Sequence, residues 1–329
     1  MATTNKPLVL VLGGTGHTGR SIVDALLKSG NFSIAVLVRP TSVTKPAAEE
    51  LKASGVEIRV GSLTDEFAKL KKVLQGVQIL ISTVDGRVVR DQREIFRAAK
   101  EVGVQRVIPC DWATPGARGV RFLTDIKLDI HDYIKELGLG YTIIDVGWWS
   151  QLFLPLPLRS TVAQHLKEMS WTVYGSGEAK NLLTNVHHIG TWVARIIADP
   201  RTLNKYVIIW EDERTQKDAF EIGARVSGDG DALIAKRIQV SEEDLKKQIA
   251  EGAAEYAKDP TNFGAALKFM GGQYMTSMHF LQENTLENAK RLGYLDAREL
   301  YPDIPAQSLE EFAEEFYSLP EPGITRVRE

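Results

Sequence analysis

The sequence predicts an α/β protein built on a doubly wound parallel sheet. Two observations carry this. Short apolar runs recur through the first half of the chain, separated by longer stretches with helical spacing. A glycine-rich turn follows the first apolar run and opens the first helical stretch. Right-handed crossovers between parallel strands then put helices on both faces of the sheet.

The elements follow in order. Leu8-Val9-Leu10-Val11-Leu12 is an unbroken apolar run, as a strand buried on both faces requires. Ile34 to Val38, Val56 to Val60, Ile79 to Ile81, Val107 to Ile108 and Tyr141 to Val146 supply the next strands. Between them, Ile22, Leu26 and Leu27 share a helical face. Leu51 lies in the next helical stretch, Leu70, Val73 and Leu74 form another face, and Ile95, Phe96 and Ala99 a further one. Val120 to Leu137 reads as a helix with the stripe Leu123, Ile126, Ile130, Tyr133, Ile134 and Leu137. Near Gly147 the alternation stops, and Pro155 and Pro157 break the following apolar stretch. Beyond it, Ile189 to Ile197 reads as a helix ended by Asp199-Pro200, and Tyr206 to Trp210 as a strand. Ser241 and Asp244 have capping-box spacing before a helix from Leu245 to Tyr256, and Ser308 caps a last helix from Leu309 to Tyr317. The soft boundary near residue 150 separates a nucleotide-binding domain, 1–150, from a second domain, 151–329, and the two are expected to interleave.

Composition sets limits. The chain has 329 residues, 43% hydrophobic and 25% charged, which excludes disordered and low-complexity classes. A net charge of −3 gives no overall attraction to nucleic acid or to an anionic membrane. The single cysteine, Cys110, excludes an intrachain disulfide framework and a cysteine-rich zinc site. No apolar run is long enough to span a bilayer, and the first residues lack a secretory apolar region. A cytoplasmic protein is expected, with neither nucleic acid nor membrane as partner.

The strongest local signal is Gly13-Gly14-Thr15-Gly16-His17-Thr18-Gly19. Its glycines permit a tight turn, close approach to a pyrophosphate, and close packing of helix on strand. The helix N-terminus adds free N–H groups and a favourable dipole. A strand before and a helix after mark this as a Rossmann-type dinucleotide site. Where an NAD site carries an acidic residue about 20 residues further on, this chain has Arg39, in Val38-Arg39-Pro40. A guanidinium suits the 2′-phosphate of NADP(H), and Lys45 adds a second positive charge if its loop folds back. Ligands on such sheets bind beyond the carboxyl ends of the strands. That rule nominates Ser82 to Asp85, Cys110 to Trp112, and Gly147 to Trp149, with Thr83 and Val84 beside the ribose and nicotinamide.

Among titratable groups Lys127 stands out. It lies at the edge of its helix's apolar stripe, beside Ile130 and Ile134. Two readings are open: a lysine snorkelling from the rim, or a partly buried one with a lowered pKa that serves as acid or base. His131, one turn further, reads as a surface or helix-edge histidine, with tuning of Lys127 or of the substrate as the other reading. His187 and His188 are adjacent and point apart, so they are no metal pair, and no metal is expected.

Several islands, in order along nearly the whole chain, resemble the isoflavone reductase-like and phenylcoumaran benzylic ether reductase-like proteins, within the NmrA-like atypical short-chain dehydrogenases. They are the glycine loop, Val38-Arg39-Pro40, Ile81-Ser82-Thr83-Val84, and Phe122 to Lys127 followed by Gly140-Tyr141-Thr142. Asp199 to Lys205, Val240 to Glu243 and Glu299 to Asp303 complete the set. The resemblance implies an NADP-binding domain and a smaller C-terminal α/β substrate domain closing over an aromatic molecule. It implies that Gly13, Thr15, Gly16, His17, Thr18, Gly19, Arg39, Lys45, Thr83, Val84 and Lys127 surround the cofactor. Lys127 becomes the general acid or base, and Trp112, Trp148, Trp149 and Phe153 the substrate contacts. Leu267 to Phe280, with Met270, Tyr274, Met275, Met278 and Phe280, is either the opposite wall or an ordinary core helix.

There are departures. Cys110-Asp111-Trp112-Ala113 replaces a Ser-Glu-Phe-Gly-like turn, Leu123 stands where a Tyr-x-x-x-Lys pair would have its tyrosine, and Gly61-Ser62-Leu63 lacks the usual acidic residue. The expected activity is reduction of a phenolic or polyketide-like small molecule by NADPH. A redox sensor without turnover and a non-redox isomerase or cyclase are the other readings of the same scaffold. Sequence leaves the oligomeric state open.

Overall fold

The computed structural model describes residues 6–323. Strands β1 (Leu8–Leu12), β2 (Ser33–Val38), β3 (Glu57–Val60), β4 (Ile79–Ser82) and β5 (Arg106–Ile108) form a wholly parallel sheet in the order β3-β2-β1-β4-β5. A bridge between Val107 and Tyr141 links β5 to the chain entering β6 (Thr142–Asp145). The strand order reverses at β1, between β2 and β4, so a crevice opens there at the carboxyl ends.

The unbroken apolar run of β1 serves two cores at once. Val9 and Val11 face Ile22, Val23 and Leu26 of α1 (His17–Ser29), together with Leu51 of α2 (Pro46–Ala53). Leu10 and Leu12 face the other way. Their cluster holds Leu70 of α3 (Phe67–Val73), Phe96 and Ala99 of α4 (Gln92–Val102), and Ile130 and Ile134 of α5 (Phe122–Glu136). Period-two alternation within an all-apolar strand is what burial on both faces demands.

Residues beyond 150 return to this framework. After β7 (Trp148–Trp149), α6 (Ser150–Phe153), α7 (Gln164–Trp171), β8 (Thr172–Tyr174) and β9 (Asn181–Thr184), helix α8 (Ile189–Ile196) packs Trp192 and Val193 into the core shared with α1. Strand β10 (Lys205–Ile208) then pairs parallel to β6. It ends two residues before the expected Trp210, and Tyr294–Asp296 pairs parallel on its other side. The remainder builds a separate core, with Phe153, Leu154 and Leu156 against Ala219, Ile222, Phe312 and Phe316. The capping boxes expected at Ser241 and Ser308 are both formed. Among the described residues no helix is long and apolar enough to cross a membrane.

The α1–α8 junction is close because Gly190 has no side chain. A Cβ there would sit 1.9 Å from the Ser21 carbonyl oxygen. Ser21 Oγ accepts from Gly190 N at 3.0 Å and donates to the His187 carbonyl at 2.8 Å, tying the two helices together. Gly190→Ala is therefore expected to destabilise the protein by at least about 1–3 kcal/mol, the usual range for overpacking, read as a lower midpoint in urea unfolding.

Asp199, which ends α8's loop, accepts from Arg201 N at 2.8 Å and Tyr301 Oη at 2.9 Å as well as from the Arg201 guanidinium. The Arg201 side-chain bond, foremost among these, holds the carboxyl down to about 2. A carboxyl depressed in the folded state stabilises above its unfolded pKa of about 3.9, and that contribution disappears as pH falls through the folded value. Asp199→Asn should lower the melting temperature at pH 7, with the gap from wild type closing as the pH drops from about 4 toward 2.

Candidate active site

The glycine turn leaves β1 and enters α1 where side chains cannot fit. Gly13 has a φ of 77°, in the left-handed region, and a Cβ on it would lie 2.5 Å from the Thr83 carbonyl oxygen. A Cβ on Gly19 would lie 2.2 Å from the Gly13 carbonyl oxygen. The first turn of α1 carries no acidic residue and Gly16 caps it in extended conformation, so the helix dipole points at the cavity uncompensated. Thr83 Oγ1 donates to the Leu12 carbonyl at 2.7 Å, fastening the ends of β1 and β4.

In front of these strand ends lies a cavity of about 510 Å³. Gly16, His17 and Thr18 border it on one side, and Thr83 and Val84 from β4 lie below. Cys110, Asp111, Trp112 and Ala113 follow from β5, Leu123 and Lys127 from α5, and Trp148, Trp149 and Leu152 from the segment after β6. Tyr274 closes the far wall, with its ring 6.1 Å from that of Trp148 and 4.4 Å from the Arg121 guanidinium.

Thus most expected site residues converge. Thr15 is exposed at the loop tip, Gly13 and Gly19 act through packing, and Arg39 and Lys45 lie exposed beyond β2, outside the cavity lining. Neither cation has a side-chain partner among the described residues. The cradle, the helix terminus and these two free cations fit a phosphorylated dinucleotide. Phe153 does not reach the cavity: it is buried in the C-terminal core, and Leu152 takes its place. Of the far-wall residues only Tyr274 lines the cavity, because two π-helical turns, Leu267–Gly271 and Thr276–Phe280, shift the helical register.

Lys127 is 7% exposed, on the buried face of α5 rather than its rim, and its Nζ donates to the Asp111 backbone carbonyl at 2.5 Å. The expected fall in its pKa is not found. Burial pulls the value down, but Tyr274, Asp111, Cys110 and Asp145 around it together raise it above the ordinary lysine value. Lys127 is an ammonium in this state. Burial drives the Cys110 thiol up to about 12, so it is no nucleophile.

Behind Lys127 lies a polar cluster that the sequence does not announce. Asp145, at the end of β6, accepts from Tyr294 Oη at 2.6 Å, and burial followed by the charge of Asp111 pushes its carboxyl upward. Asp111 Oδ2 lies 2.7 Å from His131 Nε2, and His131 is 3% exposed, not at a helix edge. Arg121 is buried on Thr114 Oγ1 and the carbonyls of Thr114 and Pro115 at 2.6, 2.9 and 3.1 Å, which shapes the loop after Trp112. One signal for Asp145 existed, a carboxylate inside an apolar strand run; Arg121 offered none. His188 pairs with Glu211 at 2.8 Å, and neither it nor His187 borders the cavity. Among the described residues no group of His, Cys, Asp and Glu has metal-site geometry.

The model of the NmrA-like family matches residues 5–313. Asnovolin J 5′,6′-dehydrogenase of Aspergillus novofumigatus is 33% identical over 96% of this chain and 97% of its own length. A phenylcoumaran benzylic ether reductase of Pyrus communis is 30% identical over 95% and 99%. The solved structure of the leucoanthocyanidin reductase–NADPH complex from Vitis vinifera superposes with a TM-score of 0.76 at 20% identity, covering 95% of this chain and 100% of that one, and shares the fold. The chain belongs to the NmrA-like family, among its isoflavone reductase-like oxidoreductases.

Proposed function

We propose that the protein reduces an aromatic small molecule, phenolic or polyketide-like, at the expense of NADPH, with Lys127 as the proton donor. One observation carries the reading: a buried, charged lysine borders the same cavity as the glycine turn and two tryptophans. Bound along the strand ends, NADPH would supply the hydride. The glycine turn and the N-terminus of α1 would hold its pyrophosphate, and Arg39 with Lys45 would hold the 2′-phosphate.

The chain's own groups do the rest. Trp148 and Trp149 offer flat apolar faces to a planar substrate, and Trp112 forms the floor, its indole Nε1 donating to the Ser82 carbonyl at 2.7 Å. A substrate seated there displaces water from a largely apolar cavity, which strengthens the field of Lys127 at a developing oxyanion or carbanion. The raised pKa makes Lys127 an acid at rest, the state that reduction requires. The relatives described above are named as a dehydrogenase and an ether reductase, which favours the reductase over the isomerase or cyclase reading.

NADPH oxidation with a panel of aromatic ketones and enones tests the activity; tight NADP binding with no turnover across the panel would favour the sensor. Lys127→Met should lower kcat by about a hundredfold or more, the range of a general acid, while NADPH still quenches tryptophan fluorescence. Full turnover in that variant would remove Lys127 from the mechanism. Arg39→Asp should shift the preference for NADPH over NADH at least about tenfold toward NADH, or about 1.4 kcal/mol, measured as the ratio of dissociation constants.

A further inference from the structure

The polar cluster behind Lys127 runs away from the cavity toward the opposite surface. Lys135 Nζ donates to Tyr206 Oη at 3.1 Å, and Tyr206 Oη lies 3.3 Å from His131 Nδ1. His131 Nε2 lies 2.7 Å from Asp111 Oδ2. One arrangement satisfies every partner. Lys135 donates to Tyr206, Tyr206 donates to His131 Nδ1, and His131, as the Nε2–H tautomer, donates to Asp111. Every donor then points the same way, from the exposed Lys135 inward. Between Asp111, His131, Asp145, Tyr294 and Lys127 lies a second cavity of about 10 Å³. That is about the space one water needs, and the lining supplies polar partners for it.

We propose that Lys135, Tyr206, His131 and Asp111 form a buried proton path that returns to Lys127 the proton it gives to the substrate. The proposal rests on the reductase reading above. In turnover an N–H bond of Lys127 breaks as its proton goes to the substrate atom that carries the developing negative charge, and Lys127 is left as a neutral amine. Asp111 passes a proton to that amine through the small cavity. Asp111 takes its proton from His131 Nε2, His131 Nδ1 takes one from Tyr206, and Tyr206 is replenished from Lys135 and solvent. The transfer leaves His131 as the Nδ1–H tautomer, which returns to the resting Nε2–H form by proton exchange once product has left the cavity, so the sum is one solvent proton consumed for each hydride delivered. The four are relay and positioning residues that act through Lys127. The path explains why a histidine, two carboxylates and a tyrosine occupy the interior between α5, β6 and β10. A purely apolar filling would make burial of the Lys127 ammonium prohibitively costly.

Groups facing His131 are Asp111, Lys127, Asp145, Tyr206 and Tyr294, and Lys135 lies one turn on. Burial raises the Tyr206 and Tyr294 phenols well above the ordinary value, so both remain protonated hydroxyls that donate.

Two measurements on the whole protein test the path. The first is ¹⁵N NMR of the imidazoles, with the His131 signal assigned by its loss in His131→Gln. The Nε2–H tautomer at neutral pH is expected; an Nδ1–H tautomer would reverse the donors and overturn the path. The second uses NADPH oxidation with whichever ketone or enone of the panel is turned over. Tyr206→Phe, which keeps the ring, should lower kcat about tenfold, leave KM for NADPH unchanged, and enlarge the solvent deuterium effect. Wild-type kcat and isotope effect in Tyr206→Phe would sink the proposal, as would a loss confined to thermal stability. If wild type turns over nothing in the panel, the reductase reading fails, and the NMR result alone decides whether the chain of donors exists.

Discussion

The structure turns on one cost, that of placing the Lys127 ammonium inside the protein. An unpaired charge in a dry interior is unfavourable by far more than a domain's net stability, so a lysine on the inner face of α5 either loses its proton or collects partners. Here it collects them. The carbonyl of Asp111 accepts directly from Nζ, and Tyr274, followed by Asp111, Cys110 and Asp145, together outweigh burial and keep the charged form favoured. Each partner constrains another element. The Asp111 carbonyl is presented because the chain leaving β5 turns through Trp112, whose φ of 44° is left-handed and rare for so bulky a residue. The Trp112 ring is in turn pinned to Ser82 at the end of β4. Asp145 closes β6 and is held by Tyr294, which follows the C-terminal helices back into the sheet. The return of residues beyond 150 to the central sheet therefore completes the charge environment of the lysine as well as a hydrophobic layer.

This arrangement sorts polar and apolar groups across α5. Toward the cavity, Leu123 and Lys127 stand one turn apart on the same face, so the lysine borders the cavity beside an aliphatic wall. Toward the interior, carboxylates, hydroxyls and the imidazole share a compartment with room for about one water. The separation matters for chemistry. A cation with compensating anions behind it and low dielectric before it projects its field forward into the cavity, where the proposed hydride addition would develop charge.

Much of the fold was legible in the sequence because it rests on periodicity. The apolar runs became strands, the intervening stripes became helices, and the glycine turn lies where a strand end and a helix start force it. The buried polar cluster was less legible, for a physical reason. Apolar residues alone place Lys127 and His131 at the edge of the α5 stripe; the structure buries both, on the same face as Ile126, Ile130 and Ile134. Apolar periodicity cannot register a polar residue whose partners come from β5, β6 and β10. Phe153 failed differently. Helix α6 is a single turn, too short to establish a face, and it turns Leu152 to the cavity and Phe153 to the core. In the segment from 267 to 280 the π turns defeat a rule based on 3.6 residues, so Tyr274 reaches the cavity while Met278 is buried away from it.

The absence of a tyrosine one turn before Lys127 gains significance from this environment. Where a phenol delivers the proton, a neighbouring lysine can act at a distance by its charge alone. With Leu123 in that place, the proposed proton transfer would fall to the lysine, and the demand on its surroundings changes: the ammonium has to be retained through burial, not merely placed nearby. That accounts for two carboxylates in the interior where one hydrogen-bonded carbonyl would have satisfied geometry. On the proposed reading, a lysine that gives up its proton in each cycle would not be recharged through the cavity while product and cofactor filled it. Behind it, Asp111, His131 and Tyr206 lead outward to Lys135, so the residues that make the buried charge tolerable are also the ones proposed to renew it.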